Sequence, residues 1–336
     1  MWERLVLESG ARVLLHATAF AVRADRHGRV GEVDVLTRGG TRTVRAAAVV
    51  DASGDADVCH LAGAPYEAPA RTGDGPVQSL STVFRMAGVD VDRAEAVPKD
   101  ELWRRMREAA AAGEFALPRL EGSFHRTPQP GVVMALMTRM RDVDATDPDQ
   151  LTAAEIEGRR QCAEYLRFLR GHVPGFERAV LVSTSPAVGV CESRRVVGDH
   201  VLTAAEVFGA TAFPDQIARC GAPVEDHHAG ADTRWAHLPE GETYGIPYRA
   251  LLPREVEGLV VAGRCFSATH DAHASARSMA TCMAMGQAAG TAAALAAAAG
   301  TAPRALDPQA LRTRLTADGA DVGPLAAAPA VTASGA

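Results

Sequence analysis

The 336-residue chain is 47% hydrophobic and 23% charged, enough for a large buried core and about two domains, which excludes a disordered or fibrous protein. Its formal charge of −6 supplies no basic field for nucleic acid or an anionic membrane, so neither partner is expected and small-molecule chemistry is the default. Cys59, Cys162, Cys191, Cys220, Cys265 and Cys282 form no CxxC pair, so the spacing specifies neither a zinc site nor a disulfide framework, and reduced thiols fit a cytoplasmic location. The opening MWERLVLESGARVLL mixes charges and lacks the basic stretch, apolar run and small-residue cleavage site of a secretory leader.

From Arg12 to Ser53 the sequence alternates and turns like a sheet, through RVLLHATAFAV, VGEVDVL and TVRAAAVVDAS, separated by DRHGR and TRGGT. The last strand, Ala47 to Val50, is apolar at every position and ends at Asp51 and Gly54, the pattern of a strand buried in a parallel sheet. Between about Tyr66 and Pro223 helical stretches broken by Pro and Gly take over, chiefly DELWRRMREAAAA and LTAAEIEGRRQCAEYLRFLRGH. Thr152 and Glu155 have capping-box spacing at the start of the second, and Thr203 and Glu206 repeat it before AEVFG. This region reads as a separate, partly helical insertion domain.

Then comes GLVVAG, a short apolar strand from Leu259 to Ala262 followed by Gly263, and a long helix from about Ala280 to Ala299. A strand, glycine turn and helix place N-terminal amides beside a ligand. Met279 to Gly300 is almost uncharged, with Gly286 and Gly290 at GxxxG spacing. Its bulk is alanine, and no aromatic or basic anchors flank it, so a buried soluble helix that packs closely on the sheet is expected rather than a membrane span. DPQALRTRLTADG predicts a short helix with Asp307 as N-cap and Pro308 at its first position, and the Ala/Pro/Gly tail beyond Asp321 is expected to be disordered.

Two segments, VVDASGDADVCHLAGAPYE and GLVVAGRCFSATHDAHASARSMATCMAMGQAAGTAAALA, resemble flavoproteins of the glutathione-reductase-like FAD fold. They are most similar to a bacterial FAD-dependent oxidoreductase family related to the fumarate reductase and succinate dehydrogenase flavoproteins. GVCESRRVVGDHVLT, FPDQIARCGAPVEDHH and YGIPYRALLP support the match in the family's order, across most of residues 12 to 300. The resemblance implies an α/β fold: an incomplete FAD/NAD(P)-binding Rossmann-like domain with a β-meander, interrupted by an α+β substrate domain. The implied divisions are 1–62 (meander and buried strand), 63–225 (substrate cap), 226–300 (flavin-facing segment) and 301–336 (short helix and tail).

The same resemblance implies FAD as cofactor. It puts the backbone near Ala19 at the adenine edge, and Ala52, Ser53 and Gly54 where the buried strand turns near the cofactor. Gly263 and Arg264 fall where the chain meets the flavin ribityl and phosphates: a glycine admits close backbone approach, and an arginine can pair with a phosphate. Relatives often carry an acidic residue after this glycine, and Arg264 departs from that. Amides of Ala280, Thr281 and Cys282 at the helix start would favour the anionic edge of reduced flavin.

Candidates for substrate chemistry are His227, His270, His273, Arg194, Arg195 and Arg277. His227, moving a proton, and Arg195, holding a carboxylate or enolate, are preferred as catalytic residues. Asp226, His227 and His228 are read as no metal site, because adjacent histidines in a loop point apart and no third ligand follows at a recognised spacing. No GxGxxG occurs in the sequence, so the resemblance implies that the N-terminal nucleotide-binding unit is missing. The expected activity is hydride transfer between a small organic substrate and FAD once that unit or a partner chain supplies the nucleotide end. The alternative is a non-catalytic remnant or interaction subunit.

Overall fold

The computed structural model describes residues 2–228, 230 and 232–324; most of the tail expected to be disordered lies outside them. An exposed helix, Trp2–Glu8, comes first. Strands Thr18–Ala24, Val30–Thr37 and Gly40–Arg45 then form an antiparallel meander. Its first strand starts at Thr18 rather than Arg12, and residues 12–15 before it are exposed. A register shift between Ala19 and Ala21 bulges the strand at Phe20, which stays exposed.

Strand Val49–Asp51 pairs in parallel with Leu259–Val261, Val49 opposite Leu259 and Asp51 opposite Val261. Among the described residues the parallel sheet has these two strands, and Val49 and Val50 are half-buried rather than buried as expected. Leu259, Val260 and Val261 are fully buried.

The structure has two large hydrophobic cores. One draws on residues from Val30 to Ala64 and from Val196 to Val322, the other only on residues from Phe84 to Ala179. The second core is filled by helices Lys99–Ala111 and Pro148–His172 against a four-stranded antiparallel sheet. That sheet is ordered Ser123–Arg126, Val133–Leu136, Phe84–Ala87, Val180–Thr184. These strands are only four or five residues long between turns, and their alternation is too short to stand out beside the two helices. From Val196 the chain is back in the first core, upstream of the boundary read near residue 225.

The helix start read at Thr152 is corrected. The cap is Asp147, whose carboxylate accepts from the amides of Asp149 and Gln150, with Pro148 at the first position. The Thr152 hydroxyl donates back to the Pro148 carbonyl inside the helix, and Glu155 accepts from the Val188 amide. An aspartate followed by proline satisfies more of the first-turn amides than the downstream Thr/Glu pair. The Thr203 and Glu206 capping box is present in full, and Asp307 caps Pro308–Ala317.

A short helix, His270–Ala276, lies between Gly263 and the long helix Met279–Ala299, so strand and long helix are not joined by a single turn. The long helix buries Thr281, Met285, Ala288, Ala289, Ala292 and Ala296 along one stripe. Its other face is open: Met279 is 79% exposed and Met283 49%. A β-carbon built on Gly286 or Gly290 would meet nothing within 4 Å, so these glycines do not mediate close packing on the sheet. By length and composition this helix could cross a membrane; here one stripe of it covers the first core.

Candidate functional site

Three distant segments meet at the end of the parallel pair. The buried Asp51 carboxylate accepts from the amide and hydroxyl of Ser53 and from the Cys59 amide, which locks the turn after the strand. Ala52 and Ser53 are exposed on this turn, and Gly54 has φ +83°. A β-carbon there would come within 2.6 Å of the Arg264 guanidinium, so Gly54 is required by the arginine that crosses it. Arg264 donates to Asp55 at 2.8 Å and to the Ser193 hydroxyl at 3.1 Å. Within the chain its partners are thus a carboxylate and a hydroxyl. Arg194 holds the same turn through the Asp55 carbonyl and Asp57.

Gly263 also has positive φ, +80°, but for a different reason: a β-carbon at this position would find its nearest neighbour, the Cys282 Cβ, 4.0 Å away, so this face of the backbone is open to close approach. Next to it the long helix begins at Ser278 without a side-chain cap. The amides of Met279, Ala280 and Thr281 have no acceptor among the described residues. Cys282 is corrected: its amide donates to the Ser278 carbonyl, closing the first turn, and its thiol lies against the Arg277 carbonyl. An open glycine beside free amides suits the anionic edge of a reduced flavin, so the residues present fit the flavin end of the cofactor. Ala19 lies on the meander opposite Val35, half-buried.

The histidines differ sharply. His273 is fully buried, stacks on Phe266, and donates through Nε2 to the Arg264 carbonyl at 2.7 Å. Burial, reinforced by Arg277 and Arg195, holds its pKa well below the usual range, so it is a neutral structural brace. His270 sits between two buried carboxylates, Nε2 at 3.1 Å from Asp226 and Nδ1 at 3.0 Å from Glu192. Arg195 is 5% exposed and committed to Glu192 and, at 2.6 Å, to Glu67. With His270 it lines a cavity of about 360 Å³ beneath Tyr66 and Pro69.

His227 and His228 point apart, as expected. His228 turns back on Asp226 at 2.7 Å, whereas His227 places Nδ1 at 3.0 Å from the Thr233 hydroxyl and Nε2 at 3.2 Å from Glu225. Burial depresses the His227 pKa despite Glu225, leaving a neutral imidazole that donates from Nε2. The third group that spacing did not provide arrives from the short helix: ligand atoms of Asp226, His228 and His270 lie within 4.8 Å of one another. Asp226 already accepts from Gln78, His270, His228 and Arg234, and the Arg234 guanidinium at 3.1 Å opposes a cation there. Burial alone would raise the Asp226 pKa, but bonds from His270 and His228 prevail and hold it far below the carboxylate range.

His227 opens onto a cavity of about 180 Å³ between the two cores. Ser79, Arg119, Thr138 and Arg139 line it from one side, and Glu225, His227 and Arg277 from the other. Arg119 and Arg139 carry no signal in the sequence, being isolated arginines in loops whose role depends on which loops meet. Glu192 and Ser193, inside CESRR, stand next to the candidate arginines but have no signature of their own.

A parallel strand pair, an open glycine and an uncapped helix start, brought together in a mixed α/β architecture, are the parts from which dinucleotide sites are built. The chain belongs to the FAD-dependent oxidoreductase family, whose family model matches residues 1–315, and the cofactor of that family is FAD. No curated protein matches the chain. Among solved structures it is similar to a triple mutant of the flavin-dependent brominase Bmp2, at 11% identity and TM-score 0.39 over 94% of this chain and 58% of the other. It is also similar to a geranylgeranyl bacteriochlorophyll reductase-like protein of Thermoplasma acidophilum, at 13% identity and TM-score 0.36 over 94% and 55%. The chain thus spans little more than half the length of these structures.

Proposed function

We propose that the chain forms the flavin-facing and substrate-binding parts of an oxidoreductase that transfers hydride between a small organic substrate and FAD. One observation carries this reading. Arg277, which lines the cavity holding His227, immediately precedes Ser278 at the uncapped start of the long helix. A proton-moving group and the free amides of Met279, Ala280 and Thr281 are therefore neighbours.

Bound FAD supplies the two-electron chemistry. Gly263 would leave room for the flavin ribityl and phosphates, and the amides of Ala280 and Thr281 would favour the negative edge of the reduced flavin. Ala52, Ser53 and Gly54 form the turn beside it, and Ala19 belongs to the adenosine side. His227 is the group that takes or gives a substrate proton: neutral, fixed through Thr233 and Glu225, and clamped by its own amide on Gln78 at 2.7 Å. Arg195 acts as a positioning residue, since its two carboxylate partners leave it no free fork and Glu192 in turn abuts His270. Residues 63–225 serve largely as the cap that closes the cavity. A GxGxxG unit, from upstream sequence or a partner chain, completes the nucleotide end in the cytoplasm.

The second reading, a non-catalytic remnant or interaction subunit, is favoured by the parallel sheet, which has two strands among the described residues. Expressing the chain alone and with its upstream extension, then recording flavin absorbance, tests both. A yellow extended protein is expected. An extended form that purifies without flavin overturns the oxidoreductase reading.

A further inference from the structure

We infer that the cavity beside His227 binds a small carboxylate anion, clamped between Arg119 on the cap side and Arg277 on the cofactor side. The inference rests on the oxidoreductase reading only in calling this molecule the substrate; the anion site stands on its own geometry. Three arginines, Arg119, Arg139 and Arg277, line about 180 Å³. The one carboxylate among the lining residues, Glu225, accepts from the neutral His227 ring at 3.2 Å, and with Arg277 and Arg119 near it leaves the cavity two positive charges in excess.

The three cations are not equally spent. Arg139 is 3% exposed and held by the carbonyls of Gly230 and Asp232 and by the Thr233 hydroxyl. Arg277 donates from Nη2 to the Glu225 carbonyl at 2.9 Å, while its buried Nε has no partner. The guanidinium of Arg119 makes no hydrogen bond among the described residues, and its Nε is buried without one. Its backbone, by contrast, is fixed at both ends, the amide donating to the Tyr165 hydroxyl at 2.9 Å and the carbonyl accepting from it at 2.8 Å.

Arg119 and Arg277 are half-buried, and a buried Nε–H without a partner is costly, because a desolvated donor must be paired. Desolvation lowers the pKa of Arg119 in spite of the nearby Glu225 and Glu121, and brings that of Arg139 down to about 10. A planar carboxylate accepts two parallel N–H bonds from a guanidinium fork, which matches Arg119 better than a spherical halide does. At about 30 Å³ per water the cavity holds roughly six waters, the room of a carboxylic acid of a few carbons. Ser79 and Thr138 add lining groups beside the neutral His227 ring.

The test uses the full chain. Binding of oxalate, malonate, succinate, phosphate and chloride is measured by calorimetry at matched ionic strength, with flavin uptake recorded separately on the same preparation. One of the carboxylates should bind saturably and more tightly than phosphate or chloride. Arg119→Gln and Arg277→Gln should each weaken it about tenfold or more, and Arg119→Lys, which keeps the charge but loses the fork, should recover only part of the loss. Far-UV circular dichroism and melting temperature identify any variant that fails to fold, and Arg119→Lys then carries the comparison. No saturable carboxylate binding, equal binding of phosphate or chloride, or unchanged affinity in the folded Gln variants overturns the inference. Carboxylate binding without flavin uptake, even when the upstream extension is supplied, overturns the oxidoreductase reading and leaves the anion site standing.

Discussion

Replacing Gly54 with alanine probes how the strand turn, the crossing arginine and Asp55 depend on one another. Holding a non-glycine residue at φ +83° costs about 1–2 kcal/mol. The added methyl also meets the Arg264 Nη2 at 2.6 Å. A guanidinium tip can swing away, but here it would have to release Asp55 and the Ser193 hydroxyl. With side chains 21% and 28% exposed, that pair lies between a surface and a buried ion pair, so its loss adds about 1 kcal/mol. Gly54→Ala should therefore lower stability by about 2–3 kcal/mol in urea denaturation, and by only about 1–2 kcal/mol in an Arg264→Ala background. The double-mutant cycle isolates the coupling. If Gly54→Ala costs the same in both backgrounds, Arg264 does not occupy the space over the glycine and the reasoning fails.

On the open face of the long helix the sign reverses: Gly286→Ala and Gly290→Ala should each stabilise by about 0.5–1 kcal/mol, and a loss of similar size in thermal melts would mean that this face is covered. Glu192→Gln leaves Arg195 short of a buried counter-charge and should cost about 2–4 kcal/mol, read by chemical denaturation; a change under about 0.5 kcal/mol would remove it from the network. Both His227 and His273 titrate below their unfolded value of about 6.5. Above that pH neither state binds the protons; as pH falls through about 6.5 the unfolded chain takes them up first, so stability should decline toward lower pH. Denaturation curves from pH 8 to 5 check this, and His273→Gln should flatten the decline.

The legible parts are those written in local chemistry. VVDASG and GLVVAG announce a parallel pair because each is a short unbroken apolar run, and the Thr203 and Glu206 box forms because its two residues are three apart and free to bond each other. Thr152 and Glu155 have the same spacing, yet Asp147 and Pro148 lie upstream and satisfy the amides first. Gly286 and Gly290 look like packing residues because GxxxG allows close approach, but spacing does not say which face of a helix meets a neighbour. The site is legible only in outline. His227 can be singled out, whereas Arg119 and Arg139, which face it, are brought there by a sheet whose short strands leave almost no periodic trace. Arg195 and Arg264 stand out as important cations but not as ones already paired, since Glu67 and Asp55 reach them only through the fold, and Glu192, though three residues from Arg195, carries no signature of its own.

The pairing of Val49–Asp51 with Leu259–Val261 also sets a schedule. These strands are separated by most of the chain, whereas the core between Phe84 and Ala179 is assembled from residues made in one continuous stretch. As the polypeptide leaves the ribosome at roughly 5–20 residues per second, that inner unit can pack for several seconds before the second strand of the parallel pair exists. Everything that converges on Gly54 and Gly263 must wait for it. The surroundings of these two glycines are therefore completed late, and until then the N-terminal meander and its strand are held by a tether to a partner not yet synthesised.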